Sequence, residues 1–195
     1  MLHSSVEKIE RLVGYGEVLE ALYLGMIELM LNPNSELHLY VGICCCATIR
    51  SIAEIERELP HIKIDEGQQV VTNILGMIVG RDTLLVNEGL HHLLQAKRLK
   101  PEIEIPEKFK KVTSEIIQDL QDYLQQDFQN ISCSQLDYSL QMAAVAAIVL
   151  ICQLQGDEPE QVTQLPTSLI EDANKLILEL SASGNKQAAF YTALS

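Results

Sequence analysis

The chain has 195 residues, 47% of them hydrophobic and 21% charged, and its 27 acidic side chains outweigh 14 basic ones for a net charge of −13. That length and apolar content suffice for a sizeable buried core, which excludes a disordered chain and one that depends on disulfide staples. The negative charge, with three Phe and no Trp, argues against direct binding of nucleic acid or of an anionic membrane surface, since it repels phosphate and leaves few stacking platforms.

The first residues, Met1-Leu2-His3-Ser4-Ser5-Val6-Glu7, do not set an apolar run behind basic ones and so do not read as a secretory signal. The longest unbroken apolar run, Met142 to Cys152, falls well short of the roughly 20 residues that span a bilayer. Together these features predict a soluble, cytoplasmic protein. Its five cysteines include the consecutive Cys44-Cys45-Cys46 and the isolated Cys133 and Cys152, with no CxxC pair. On a helix, three neighbours project about 100° apart and cannot converge on one metal ion. They are expected to be small buried hydrophobes in a reducing compartment.

Helix signals then follow one another along the chain. Ser4 and Glu7 have capping-box spacing ahead of Val6, Ile9, Leu12 and Val13, and Gly14-Tyr15-Gly16 ends that helix. A second helix is predicted from Glu17 to Leu31, with Val18, Leu22, Met26 and Leu29 on one face, forming a hairpin with the first. Asn32-Pro33-Asn34 breaks it, and a third helix is expected from Ser35 to Leu59, apolar on nearly every side from Leu37 to Ile49 and stopped by Pro60. Gln68 to Gly80 reads as a buried helix. Asp82 or Thr83 starts another that ends near Lys97 to Lys100, in a basic last turn suited to the helix dipole.

Pro106 opens a helix from Glu107 to about Gln129, with Phe109, Val112, Ile116, Leu120, Tyr123 and Leu124 on its apolar stripe. Ser134 and Asp137 lead into Leu136 to Leu154, apolar all round from Met142 to Cys152 and closed by Gly156. A short helical piece before Leu165-Pro166, a helix capped by Ser168 and Glu171 and running to Ser183, and a last one over Lys186 to Leu194 complete the pattern. The predicted fold is all-α: a single helical domain, residues 1–195, with about seven to eight helices around two central apolar ones. No linker or low-complexity tract divides it.

One repeat stands out. Pro60-His61-Ile62-Lys63-Ile64-Asp65-Glu66 and Pro101-Glu102-Ile103-Glu104-Ile105-Pro106-Glu107 share the pattern P-x-I-x-I-x-E. Residues 61–65 and 102–105 are therefore expected to be short extended connectors that anchor their isoleucines in the core. Two copies fall below the three or so that a stable solenoid needs.

Chemistry-bearing patterns are sparse. Gly14-Tyr15-Gly16 lacks the rest of a nucleotide-binding loop, and HExxH, GxSxG and calcium-loop signatures are absent, so no cofactor and no catalytic residue is predicted. Glu88, His91 and His92 form the one metal-like cluster. Glu88 and His91, three apart on a helix, have the spacing of a carboxylate–imidazole metal pair, but the second such pair of a helical di-metal centre is missing. Lys97, Arg98, Lys100, Lys108, Lys110 and Lys111 concentrate six basic residues against three acidic ones, Glu102, Glu104 and Glu107, which makes residues 97–111 the candidate dock for an anion or an acidic partner.

The functional expectation is a non-enzymatic helical interaction or regulatory module, with a protein partner or self-association as a homodimer. The alternative is a helical enzyme or a small-ligand or metal-binding protein whose site is assembled only in three dimensions.

Overall fold

A computed structural model describes residues 2–48, 82–129 and 135–183. Its regular structure is entirely helical, with no strand among the described residues: α1 Leu2–Gly14, α2 Val18–Leu31, α3 Ser35–Ala47, α4 Asp82–Leu99, α5 Lys110–Gln129, α6 Gln135–Gln155, α7 Pro159–Val162 and α8 Thr167–Ala182, with a 3-10 turn at Glu107–Phe109 before α5. The chain forms two compact units, Met1–Ile103 and Glu104–Ser195. Each apolar helix is the hub of its own unit: α3 packs against α1, α2 and α4, and α6 against α5, α7 and α8.

In the first unit, α1 and α2 pack as a hairpin across a turn in which Gly16 takes a φ of 79°, a left-handed conformation that glycine adopts without steric cost. Helix α1 begins at Leu2, so Ser4 lies within it and does not cap it. Asn34 caps α3, its Oδ1 accepting from the Leu37 amide at 3.0 Å, which satisfies one of the amides that a helix start leaves unpaired. Leu37 and every residue from Leu39 to Thr48 is buried. At the other end of α3, the Thr48 hydroxyl donates to the Cys45 carbonyl. The predicted continuation of this helix to Leu59, the helix over Gln68 to Gly80 and the connector 61–65 lie outside the described residues.

The second unit begins beside its hub. The Ile105 amide donates to the Leu154 carbonyl near the end of α6, and both Ile103 and Ile105 are buried. The stretch from Ile103 to Pro106 has no regular secondary structure, and Glu102 lies in a turn. Met142 through Cys152 is buried without a break, as a helix apolar on all sides requires. The 3-10 turn buries Phe109, and helix α5 buries Ile116, Leu120 and Leu124 and exposes Lys111, Glu115 and Asp122. Gly156 ends α6 at a φ of 78°. Pro166, not Ser168, precedes α8, and no side chain caps that helix. The segment Lys186 to Leu194 lies outside the described residues.

Candidate functional site

The first unit's chemistry collects where α3 crosses α4. Gly42 and Gly89 face one another there: a Cβ on Gly42 would stand 2.8 Å from Leu93 Cγ and 3.1 Å from the Gly89 carbonyl oxygen, and one on Gly89 would stand 2.7 Å from Cys46 Sγ and 3.2 Å from the Gly42 carbonyl oxygen. Any larger residue would push the backbones apart. His38 lies one turn before Gly42 and His92 three residues after Gly89, so each histidine shares a helix face with a contact glycine.

This close crossing sets His38 Nδ1 2.8 Å from His92 Nδ1, with the ring centroids 5.1 Å apart. His92 Nε2 in turn lies 3.7 Å from Glu88 Oε2, one turn back on α4, and the two side chains keep only 12% and 26% of their exposure. Burial pushes the His92 imidazole down to about 3, with the His38 and His91 rings adding to the effect. His38 is lowered by burial and then by His91. The Glu88 carboxyl is raised by burial, against a smaller opposing pull from His91. All three causes act alike: a partly dry site disfavours charge.

The sequence singles out Glu88, His91 and His92. The structure pairs Glu88 with His92, four residues on, and leaves His91 in an edge-on ring contact with His92 at 5.5 Å. His38, which completes the cluster, lies 54 residues away from His92, and no local pattern marks it. Among the described residues no three His, Cys, Asp or Glu side chains converge with the geometry that holds a metal ion. Cys44, Cys45, Cys46 and Cys152 are buried free thiols; Cys133 lies outside the described residues.

The predicted basic dock divides between the units. In the first, Lys97 and Arg98 lie in the last turn of α4 and Lys100 just follows it; in the second, Lys108 lies in the 3-10 turn and Lys110 and Lys111 open α5. Lys110 Nζ donates to Glu107 at 2.8 Å, and Lys108 Nζ sits 5.2 Å above the Phe109 ring.

A different surface stands out on α2. This helix carries two charges, Glu20 and Glu28, among apolar residues on every side. It buries Leu19, Ala21, Leu22 and Gly25. Val18, Tyr23, Leu24, Met26, Ile27 and Leu29 are half-buried, and Met30 and Leu31 stay 71% and 68% exposed. Among the described residues no helix is long and apolar enough to cross a membrane. Comparison with family models, curated proteins and solved structures gives no match to this chain.

Proposed function

We propose that the chain is a non-enzymatic helical interaction module that docks a partner helix through α2. The observation that carries this reading is the incomplete burial of a helix that is apolar all round. Such a helix belongs in a core, yet α2 leaves Met30 and Leu31 open and most of its other large apolar side chains half-covered. Helix-in-groove recognition uses apolar anchors at this kind of spacing, as Leu24, Ile27 and Leu31 offer on one face. With a net charge of −13, two copies repel one another, and a partner helix with basic flanks is the better match.

The test follows methyl signals of methionine-labelled protein on addition of a leucine- and lysine-rich amphipathic helical peptide. The expected result is selective movement of the Met26 and Met30 signals, with Met30→Asp weakening binding about tenfold or more, roughly 1.4 kcal/mol, and leaving the melting temperature in place. Binding that Met30→Asp does not change would overturn the reading. A dimer in sedimentation that Met30→Asp dissociates would make a second copy the occupant of the same face.

The alternative, a ligand-binding protein with a site assembled in three dimensions, draws support from one observation: Glu88, His92 and His38 converge from two helices into a partly dry cluster.

A further inference from the structure

Two histidines with Nδ1 atoms 2.8 Å apart share one proton between those atoms. One ring must donate and the other accept, because two N–H groups facing each other repel and two lone pairs make no bond. The far nitrogen of His92, Nε2, looks toward the Glu88 carboxylate. That leaves two self-consistent proton arrangements. With Glu88 ionised, His92 carries its proton on Nε2, facing the carboxylate, and accepts at Nδ1 from His38 Nδ1–H, so that His38 Nε2 is a lone pair. With Glu88 protonated, the carboxyl O–H faces His92 Nε2 as donor, His92 carries its proton on Nδ1 and donates it to His38 Nδ1, and His38 carries its own proton on Nε2.

We propose that Glu88, His92 and His38 form a one-proton switch in which protonation of the carboxylate on α4 converts the outer ring nitrogen of His38 on α3 from a hydrogen-bond acceptor to a donor. The balance is one proton in. If it arrives at His38 Nε2, the His38 Nδ1 proton passes to His92 Nδ1 and the His92 Nε2 proton passes to Glu88. If it arrives at Glu88, the His92 Nε2 proton is released to solvent, the His38 Nδ1 proton passes to His92 Nδ1 and His38 Nε2 takes up a solvent proton, which gives the same end state with one proton gained. The Nε2–Oε2 separation of 3.7 Å must close by about 0.8 Å, to an ordinary hydrogen-bond distance, for direct transfer, a movement within the reach of a glutamate side chain.

Neither arrangement contains an imidazolium. Burial disfavours that species at both rings and favours the neutral carboxyl, and the first turn of α3, where His38 stands, adds the positive end of a helix dipole. The remaining groups leave this logic intact. His91 on α4 lowers all three members. Cys45 on α3 senses Glu88 but is held as a thiol, and Tyr40 on α3 donates to Glu10 of α1. Among the described side chains, the other titratable groups of α1 and α2, which pack on α3 beside α4, are Glu7, Lys8 and Arg11 of α1 and Glu20, Tyr23 and Glu28 of α2. None of them figures among the described charges that shift the three.

The experiment is NMR of the full chain with 15N-labelled imidazoles and 13C-labelled glutamate carboxyls, titrated from neutral pH downward. The expected result is a single step in which the Glu88 carboxyl, both His38 nitrogens and both His92 nitrogens move with one midpoint. His38 Nε2 and His92 Nδ1 become protonated as their ring partners lose their protons. In Glu88→Gln the exchange should vanish from that pH range. Protonation of either ring at both nitrogens in that step would overturn the proposal, as would rings that stay still while Glu88 titrates. If Glu88→Gln does not fold, the wild-type titration alone decides the matter.

Discussion

Three consecutive cysteines suggest metal or redox chemistry until their surroundings are considered. Cys44, Cys45 and Cys46 lie on the hub helix of the first unit, all buried, and burial pushes Cys44 and Cys46 up to about 12 and Cys45 well above its ordinary value. Cys152 on α6 is likewise raised to about 12 by burial and by nearby Asp157. Only the thiolate attacks an alkylating reagent, and at pH 8 a thiol with that affinity for its proton is ionised about one part in ten thousand. Native protein treated with iodoacetamide at pH 8 should therefore yield unmodified peptides spanning residues 44–46 and 152, with complete modification in denaturant. Labelling of the native protein at the rate of a free thiol would show that these side chains are reached without unfolding.

At the scale of elements, the α3–α4 crossing is held close by its two glycines. Gly89→Ala adds a methyl group 3.2 Å from the Gly42 carbonyl oxygen and 2.7 Å from the Sγ of buried Cys46. Replacing a helical glycine by alanine favours the helix by about 1 kcal/mol, but overpacking costs about 1–3 kcal/mol, and a contact with backbone belongs at the upper end. The expected outcome is a loss of about 1–2 kcal/mol in denaturant unfolding, accompanied by weakening of the His38–His92 bond in imidazole NMR; a gain in stability would mean that the helices part freely.

The same crossing marks where the sequence stops being readable. Helix α6 is legible because Met142 to Cys152 leaves no polar face, and α5 because its stripe and its charges segregate. Helix α2 is legible as a helix but not by face: with apolar residues on every side, periodicity favours Val18, Leu22, Met26 and Leu29, whereas the buried set is Leu19, Ala21, Leu22 and Gly25. Ser4 and Ser168 have capping-box spacing, but α1 starts at Leu2 and α8 follows directly on Pro166, so a local motif did not set either helix start. Glu88 and His92 are visible in the sequence as a cluster, while His38 is not, because the contact that recruits it depends on which faces of α3 and α4 meet.

For the whole molecule, charge is the dominant surface property. Acidic residues outnumber basic ones by 27 to 14, and the excess is present in both units. The ion pairs Lys110–Glu107 and Lys175–Asp172 join residues three apart on exposed helix surface, and exposed pairs of this kind contribute at most about 1 kcal/mol each. Self-repulsion among the carboxylates should therefore outweigh the attraction between pairs. Salt screens both, but it acts most on the long-range term: the Debye length falls from about 30 Å at 0.01 M to about 3 Å at 1 M, a range over which distant carboxylates cease to interact while contacts at hydrogen-bond distance persist. The melting temperature should rise by a few degrees as sodium chloride is taken from low concentration to about 0.5 M and then level off. Chloride is the suitable anion because sulfate strengthens apolar burial as well. A melting temperature that fell over the same range would mean that short-range ion pairs, and not net charge, govern the electrostatics of this fold.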